Sequence, residues 1–169
     1  MFDTLVLGVD PGVAMLGLAV VGSRGRQLAL VWADTVRTPS GLAEAARLQK
    51  VADGAASAIA AHRPAAVALE RVAWNRNQVS ALQVARATGA VMVAAARAGL
   101  PVEEYGPNEV KVAVTGMGNA DKEQVRLALA RIHGLRDVPL QPDAADAAAV
   151  ALTHILAGRM RGIAKAAAR

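Results

Sequence analysis

The sequence predicts a mixed α/β layer fold, and three observations carry the prediction. The first 36 residues hold three strand-like runs in succession. Beyond them, short apolar runs alternate with long stretches in which apolar residues recur every three or four positions. Pro, Gly and Asp clusters fall between these runs, where turns are needed.

Residues 4–9 (TLVLGV) read as a buried strand, continuous in apolar residues. Asp10-Pro11-Gly12 breaks it, and residues 15–21 (MLGLAVV) return as a second strand. Residues 27–36 (QLALVWADTV) make a third, giving an antiparallel meander with short turns. Residues 41–62 switch to helical spacing, with Leu42, Ala45, Leu48, Val51, Ala55 and Ile59 on one face and Pro64 as the stop. AAVALE (65–70) is a short buried strand ending in Glu70. Residues 77–98 form an Ala-rich helix that closes before Gly99-Leu100-Pro101, and PVEEY (101–105) is the fifth strand. Two short helices follow, 107–115 and 121–133, split by Gly116-Met117-Gly118-Asn119. A last helix opens near Pro142 and runs through the 150s, with Pro at its start and Asp in its first turn, both favoured there.

A chain of 169 residues suits one compact domain with a sizeable core. Its apolar share is 54%, much of it Ala, with no uninterrupted apolar run of bilayer length and no basic, cleavable leader. The lack of such a run predicts no membrane partner, and the absence of Cys excludes disulfides and thiolate-bound zinc and fits a cytoplasmic protein. A net charge of +5 suits a polyanionic partner, since clustered Lys and Arg displace the counterions condensed on nucleic acid. A merely solvated basic surface is the plainer reading, but the distribution argues against it. Between Glu70 and Glu103 there is no acid, yet Arg71, Arg76, Arg86 and Arg97 lie there; after Asp146 come only Arg159, Arg161, Lys165 and Arg169. These segments predict a basic face.

Carboxylates in apolar surroundings need a reason, because an unpaired buried charge is costly. Asp10 ends the first strand, Glu70 ends the fourth, and Asp143 and Asp146 open the last helix three residues apart, on a shared face. Singly, these are a turn former, a strand-end charge and two residues favoured by a helix dipole. Together, at strand ends and a helix start that can meet at one sheet edge, they suggest a site. Carboxylates crowded together need a cation or shared protons. An all-oxygen set favours Mg²⁺ or Mn²⁺ over zinc, and two such ions can activate water and stabilise the leaving oxygen of a phosphodiester.

GVDPG, ALERVAWNRN and PDAADAAAVALTH resemble the three acidic blocks of the RuvC-type Holliday junction resolvases, and EEYGPNEVKVAVTGMGNADKEQV resembles that family's basic block. The resemblance runs in order from about residue 4 to 156. It implies an RNase H-like fold, with a five-stranded mixed sheet flanked by helices, as a nuclease domain over residues 1–158. Residues 159–169 read as a basic C-terminal tail, either an arm on DNA or, the reading preferred, a flexible frayed end. It implies a homodimer that makes paired symmetric nicks in four-way DNA junctions during recombination and repair, leaving 5′-phosphate and 3′-hydroxyl ends. Asp10, Glu70, Asp143 and Asp146 match the catalytic carboxylates that bind one or two Mg²⁺ ions, with Mn²⁺ as an alternative. Lys111 and Lys122 match basic positions near the scissile DNA, and Arg76 and Asn77 match the polar loop after the catalytic Glu. The branch-migration proteins RuvA and RuvB are the implied partners.

One position departs from the family. An aromatic three residues after the catalytic Glu is replaced by Ala73, and Trp74 comes next. Trp74 is a candidate to stack on bases, an interaction worth roughly 1–3 kcal/mol per base; packing on its own loop is the alternative. The Ala- and Gly-containing helix at 77–98 is the candidate dimer seam, in part packed on the sheet. His154 is read as a packed residue outside the site, and His62 and His133 as surface residues near helix ends. Two other functions are weaker fits. An actin-like ATPase calls for a second Gly-rich phosphate loop, which these residues lack. A non-catalytic DNA-binding relative has no need of all four carboxylates.

Overall fold

β1 (Thr4–Asp10) pairs antiparallel with β2 (Met15–Arg24), from Thr4 opposite Ser23 to Asp10 opposite Gly17. The computed structural model describes residues 1–72, 78–139 and 141–167. β3 (Gln27–Arg37) continues the meander with a register shift between Val20 and Val21. β4 (Ala66–Glu70) and β5 (Val102–Tyr105) then add in parallel on the other side of β1, giving the order β3-β2-β1-β4-β5. Parallel neighbours need crossovers, and α1 (Glu44–His62) and α2 (Gln78–Arg97) supply helices for them.

Both faces of the sheet are covered. Leu7, Val9, Leu18, Val20, Val67 and Leu69 meet α1 and α2 on one side. Val6, Ala19, Val21, Ala68 and Tyr105 meet α3 (Pro107–Thr115), α4 (Lys122–Arg131) and α5 (Pro142–Ala167) on the other. Strand side chains alternate between faces. Asp10 therefore shares the α5 face with Val6 and Gly8, and Glu70 shares it with Ala68.

α5 comes unusually close to this face. A Cβ on Gly8 would lie 2.0 Å from the carbonyl oxygen of Ala147, and one on Gly17 would lie 2.1 Å from that of Asp143. The facing residues Ala144, Ala147, Ala148 and Ala151 are fully buried. Small residues on both partners thus let backbone meet backbone, and this seats the first turn of α5 beside the end of β1.

The structure departs from the sequence reading in four places. α1 begins at Glu44, because Leu42 N–H donates to the Pro39 carbonyl in a turn; Leu42 and Ala45 are exposed and leave the inward face to Val51, Ala55 and Ile59. α4 ends at Arg131. α5 continues through Ala167, so the segment read as a tail extends the helix. Among the described residues, the cations of the acid-free run at 71–102 do not gather on one face. Arg71 lies against Glu109, Arg86 pairs with Glu44 of α1, and Arg97 closes α2 at the end remote from Glu70. α2 is also apolar and long enough by composition to cross a bilayer, with mean hydropathy 1.4 over Val79–Arg97. Its Ala87, Val91, Ala94 and Ala95 lie in the core, which accounts for part of that apolarity; Val79, Leu82 and Val93 are exposed.

Candidate active site

β1 and β4 are in parallel register, with Val9 beside Leu69, so the next residues, Asp10 and Glu70, end their strands side by side. Pro107, Lys111 and Val110 of α3, Lys122 and Val125 of α4, and Asp146 and Ala149 of α5 complete a cavity of about 220 Å³ around them. Local capping aims these helices. Glu109 accepts from the Gly106 N–H at 2.6 Å, and Pro107 follows at the first position of α3. Asp121 and Gln124 cap α4 reciprocally, which places Lys122 in its first turn.

The electrostatics are those of crowded like charges. The Asp10 carboxyl is pushed up to about 7, first by burial and then by the charges of Glu70, Asp146 and Asp143, with Lys122 opposing. Glu70 is raised by burial and by Asp146, and lowered by Lys122, by a hydrogen bond from Asp10 and by Lys111. Protonation of Asp10 would relieve its repulsion with Glu70. Lys122 Nζ donates to Asp146 Oδ2 at 2.6 Å, and this contact raises the lysine pKa despite partial burial.

The structure thus brings Asp10, Glu70, Asp146, Lys111 and Lys122 to one cavity. Asp143 does not line it, yet its charge reaches Asp10 and Lys122. Among the described residues, no three acids or histidines stand as a ready ligand cage. The donors nevertheless suit a hard divalent cation: all are carboxylate oxygens, and their repulsion has a single lysine paired against it. Trp74, Arg76 and Asn77 lie outside the described residues. His154 is half-buried and bonded to Tyr105 rather than to the site; His133 Nε2 lies 2.8 Å from the Val114 carbonyl, and His62 lies against Trp32 with ring centroids 4.8 Å apart. Sequence reading missed Gly8 and Gly17, the residues that seat α5. Their signal was the spacing of glycines within apolar strands opposite an Ala-rich helix.

Comparison with known proteins is consistent across sequence and structure. The family model for crossover junction endodeoxyribonuclease RuvC matches residues 6–154. The crossover junction endodeoxyribonuclease RuvC of Nocardia farcinica is 48% identical over 150 residues, covering 88% of this chain and 79% of that protein. Its counterpart from Frankia alni is 47% identical over 167 residues, covering 96% and 85%. The solved structure of T. thermophilus RuvC in complex with a Holliday junction substrate superposes with TM-score 0.87 at 39% identity, covering 94% of this chain and 96% of that one. The yeast mitochondrial Holliday junction resolvase, at 12% identity and TM-score 0.64 over 89% and 77%, shares the fold.

Proposed function

The chain belongs to the RuvC family of crossover junction endodeoxyribonucleases, and from that premise we propose how its residues cut a four-way DNA junction. It is a metal-dependent nuclease that resolves Holliday junctions in recombination and repair. The observation that carries the assignment of roles is the convergence of Asp10, Glu70 and Asp146 with Lys111 and Lys122 on one cavity at the sheet edge.

Asp10, Glu70, Asp143 and Asp146 are the catalytic carboxylates and would hold one or two Mg²⁺ ions, with Mn²⁺ as a substitute. Bound there, the metal would supply Lewis-acid stabilisation of the phosphate and a water of lowered pKa. Hydrolysis breaks the bond from phosphorus to the 3′ oxygen, leaving a 5′-phosphate and a 3′-hydroxyl. Lys111 and Lys122 sit where their charges can offset the extra negative charge of the reacting phosphate. Lys122 holds Asp146 in the free protein, so its ammonium is already paired beside the carboxylates. Trp74, Arg76 and Asn77, after the strand that carries Glu70, would contact the junction near the crossover.

A symmetric substrate suits a symmetric enzyme, and a homodimer is the assembly proposed. α2 supports it: Val79, Leu82 and Val93 are 70%, 51% and 51% exposed on the side away from the sheet, and Gly89 faces open space between them. RuvA and RuvB are the proposed partners in branch migration, and the cytoplasm the proposed location. The test is cleavage of a synthetic four-way junction with and without Mg²⁺, beside linear duplex of the same sequence. Paired nicks only in the junction and only with the ion support the reading. Equal cutting of duplex, or undiminished cutting in chelator, refutes it.

A further inference from the structure

Tyr105 is paired with Glu70 in the parallel register of β4 and β5, and the Arg71 N–H donates to the Tyr105 carbonyl at 2.8 Å. The backbone of Tyr105 is therefore fixed beside a catalytic carboxylate. Its side chain projects to the α5 face, where its hydroxyl lies 3.0 Å from Nδ1 of His154. The two rings also meet edge to face, with centroids 6.0 Å apart and planes at 82°. His154 stands eight residues after Asp146 on α5, about two helical turns along the same element. One residue beyond Tyr105, Gly106 caps α3, the helix that carries Lys111.

We infer that the Tyr105–His154 hydrogen bond is a brace that holds the strand pair bearing Glu70 and the helix bearing Asp143 and Asp146 at one fixed separation, which makes both side chains positioning residues for the cutting reaction. The inference rests on the assignment of those carboxylates to metal binding. The repulsion among Asp10, Glu70, Asp143 and Asp146 pushes β1 and β4 away from α5, and a small displacement of reacting groups is expensive in rate. Packing alone resists this loosely, because apolar contacts have no preferred direction. A hydrogen bond has one.

With the imidazole neutral, the Tyr105 hydroxyl can donate to Nδ1 of His154. Burial and the Arg161 charge hold the His154 imidazole below its ordinary pKa, with Glu103 opposing, which keeps Nδ1 free to accept near neutral pH. Tyr105 is only 8% exposed, so without His154 its hydroxyl would be left poorly solvated.

Three variants of the full chain test the brace: Tyr105→Phe, His154→Leu and His154→Asn. Each is compared with the parent for single-turnover cleavage of a saturating junction, for the Mg²⁺ concentration giving half the maximal rate, for junction affinity without cleavage, and for the rise in Tm on adding Mn²⁺ without DNA. Tyr105→Phe and His154→Leu are expected to bind the junction as the parent does, to cut it about tenfold more slowly and to need more Mg²⁺. His154→Asn places an oxygen acceptor near the position of Nδ1 and is expected to retain most of the parent rate. Parental rate and metal requirement in Tyr105→Phe would overturn the brace, as would His154→Asn as slow as His154→Leu. A parent that does not cut junctions would count against the assigned function instead. The brace is then judged by the Mn²⁺-induced rise in Tm: smaller in Tyr105→Phe than in the parent supports it, and an equal rise overturns it.

Discussion

Asp10 holds its proton to about pH 7 because burial and three neighbouring carboxylates all disfavour the anion. Its ordinary value is 3.8, so between those two pH values the folded chain binds the proton more tightly than the unfolded chain does. The stabilisation that this proton gives is complete below about 4 and is lost as pH rises through about 7; Glu70 shifts in the same direction. The metal-free protein should therefore show a falling Tm from pH 4 to 7. A divalent cation should raise Tm more at pH 8 than at pH 5, because it binds the anion. A flat metal-free profile over that range would contradict the crowding. The lysines give a second prediction at this scale. Lys111→Ala and Lys122→Ala should reduce the cleavage rate by tenfold or more, on the order of ~10²-fold for one well-placed electrostatic group, while junction affinity changes little. A loss confined to binding would show that they serve only as backbone contacts. The residue types of the site were legible because an acid at the end of an apolar strand is conspicuous. The pairing of Lys122 with Asp146 was not, because the two lie 24 positions apart and meet only through the docking of α4 on α5.

The seating of α5 decides whether the carboxylates meet. Adding a side chain at Gly17 places its Cβ 2.1 Å from the Asp143 carbonyl oxygen, and the obstacle is backbone that cannot rotate aside. Gly17→Val should cost about 1–3 kcal/mol or more, the range for overpacking a dense core. It should also lower cleavage disproportionately by moving the first turn of α5; a rate that tracks only the folded fraction would contradict this. Gly25→Ala is a useful contrast, since its positive φ of 54° strains any replacement but no atom lies within 4 Å of the added Cβ and the site is remote. Most element types could be read from the chain because period and turn chemistry agree there: Pro64 after α1, Gly99 after α2 and Pro142 at the start of α5. Boundaries were harder. Spacing alone carried α1 back to residue 41, where a turn closed on Pro39 competes, and it could not show that Gly158 and Gly162 are tolerated within α5. The described cations of the 71–102 run are spread apart for a related reason. Sequence adjacency on a long helix distributes cations along its length and around its axis, and Arg86 turns to Glu44.

At the scale of the whole molecule, the sheet separates two tasks. α1 and α2 cover one face and leave an outer apolar stripe on α2; α3, α4 and α5 cover the other and frame the cutting site at the sheet edge. If the stripe is the dimer seam, Leu82→Glu should shift the sedimentation of the protein toward monomer at micromolar concentration, with its thermal transition preserved. Paired nicks should then give way to single ones. The parent sedimenting as monomer would remove the seam from the account. The family and its fold were legible from four blocks that lie far apart in sequence, whereas the closeness of α5 to β1 and the tie between Tyr105 and His154 appear only once the layers are assembled. The most direct measurement compares the parent and Asp10→Asn on one synthetic four-way junction with Mg²⁺, scoring binding by gel shift and cutting by strand analysis. Binding equal to the parent with cutting abolished is the predicted result. An Asp10→Asn protein that still cuts, or one that loses binding along with cutting, would contradict the placement of Asp10 at the centre of the metal site.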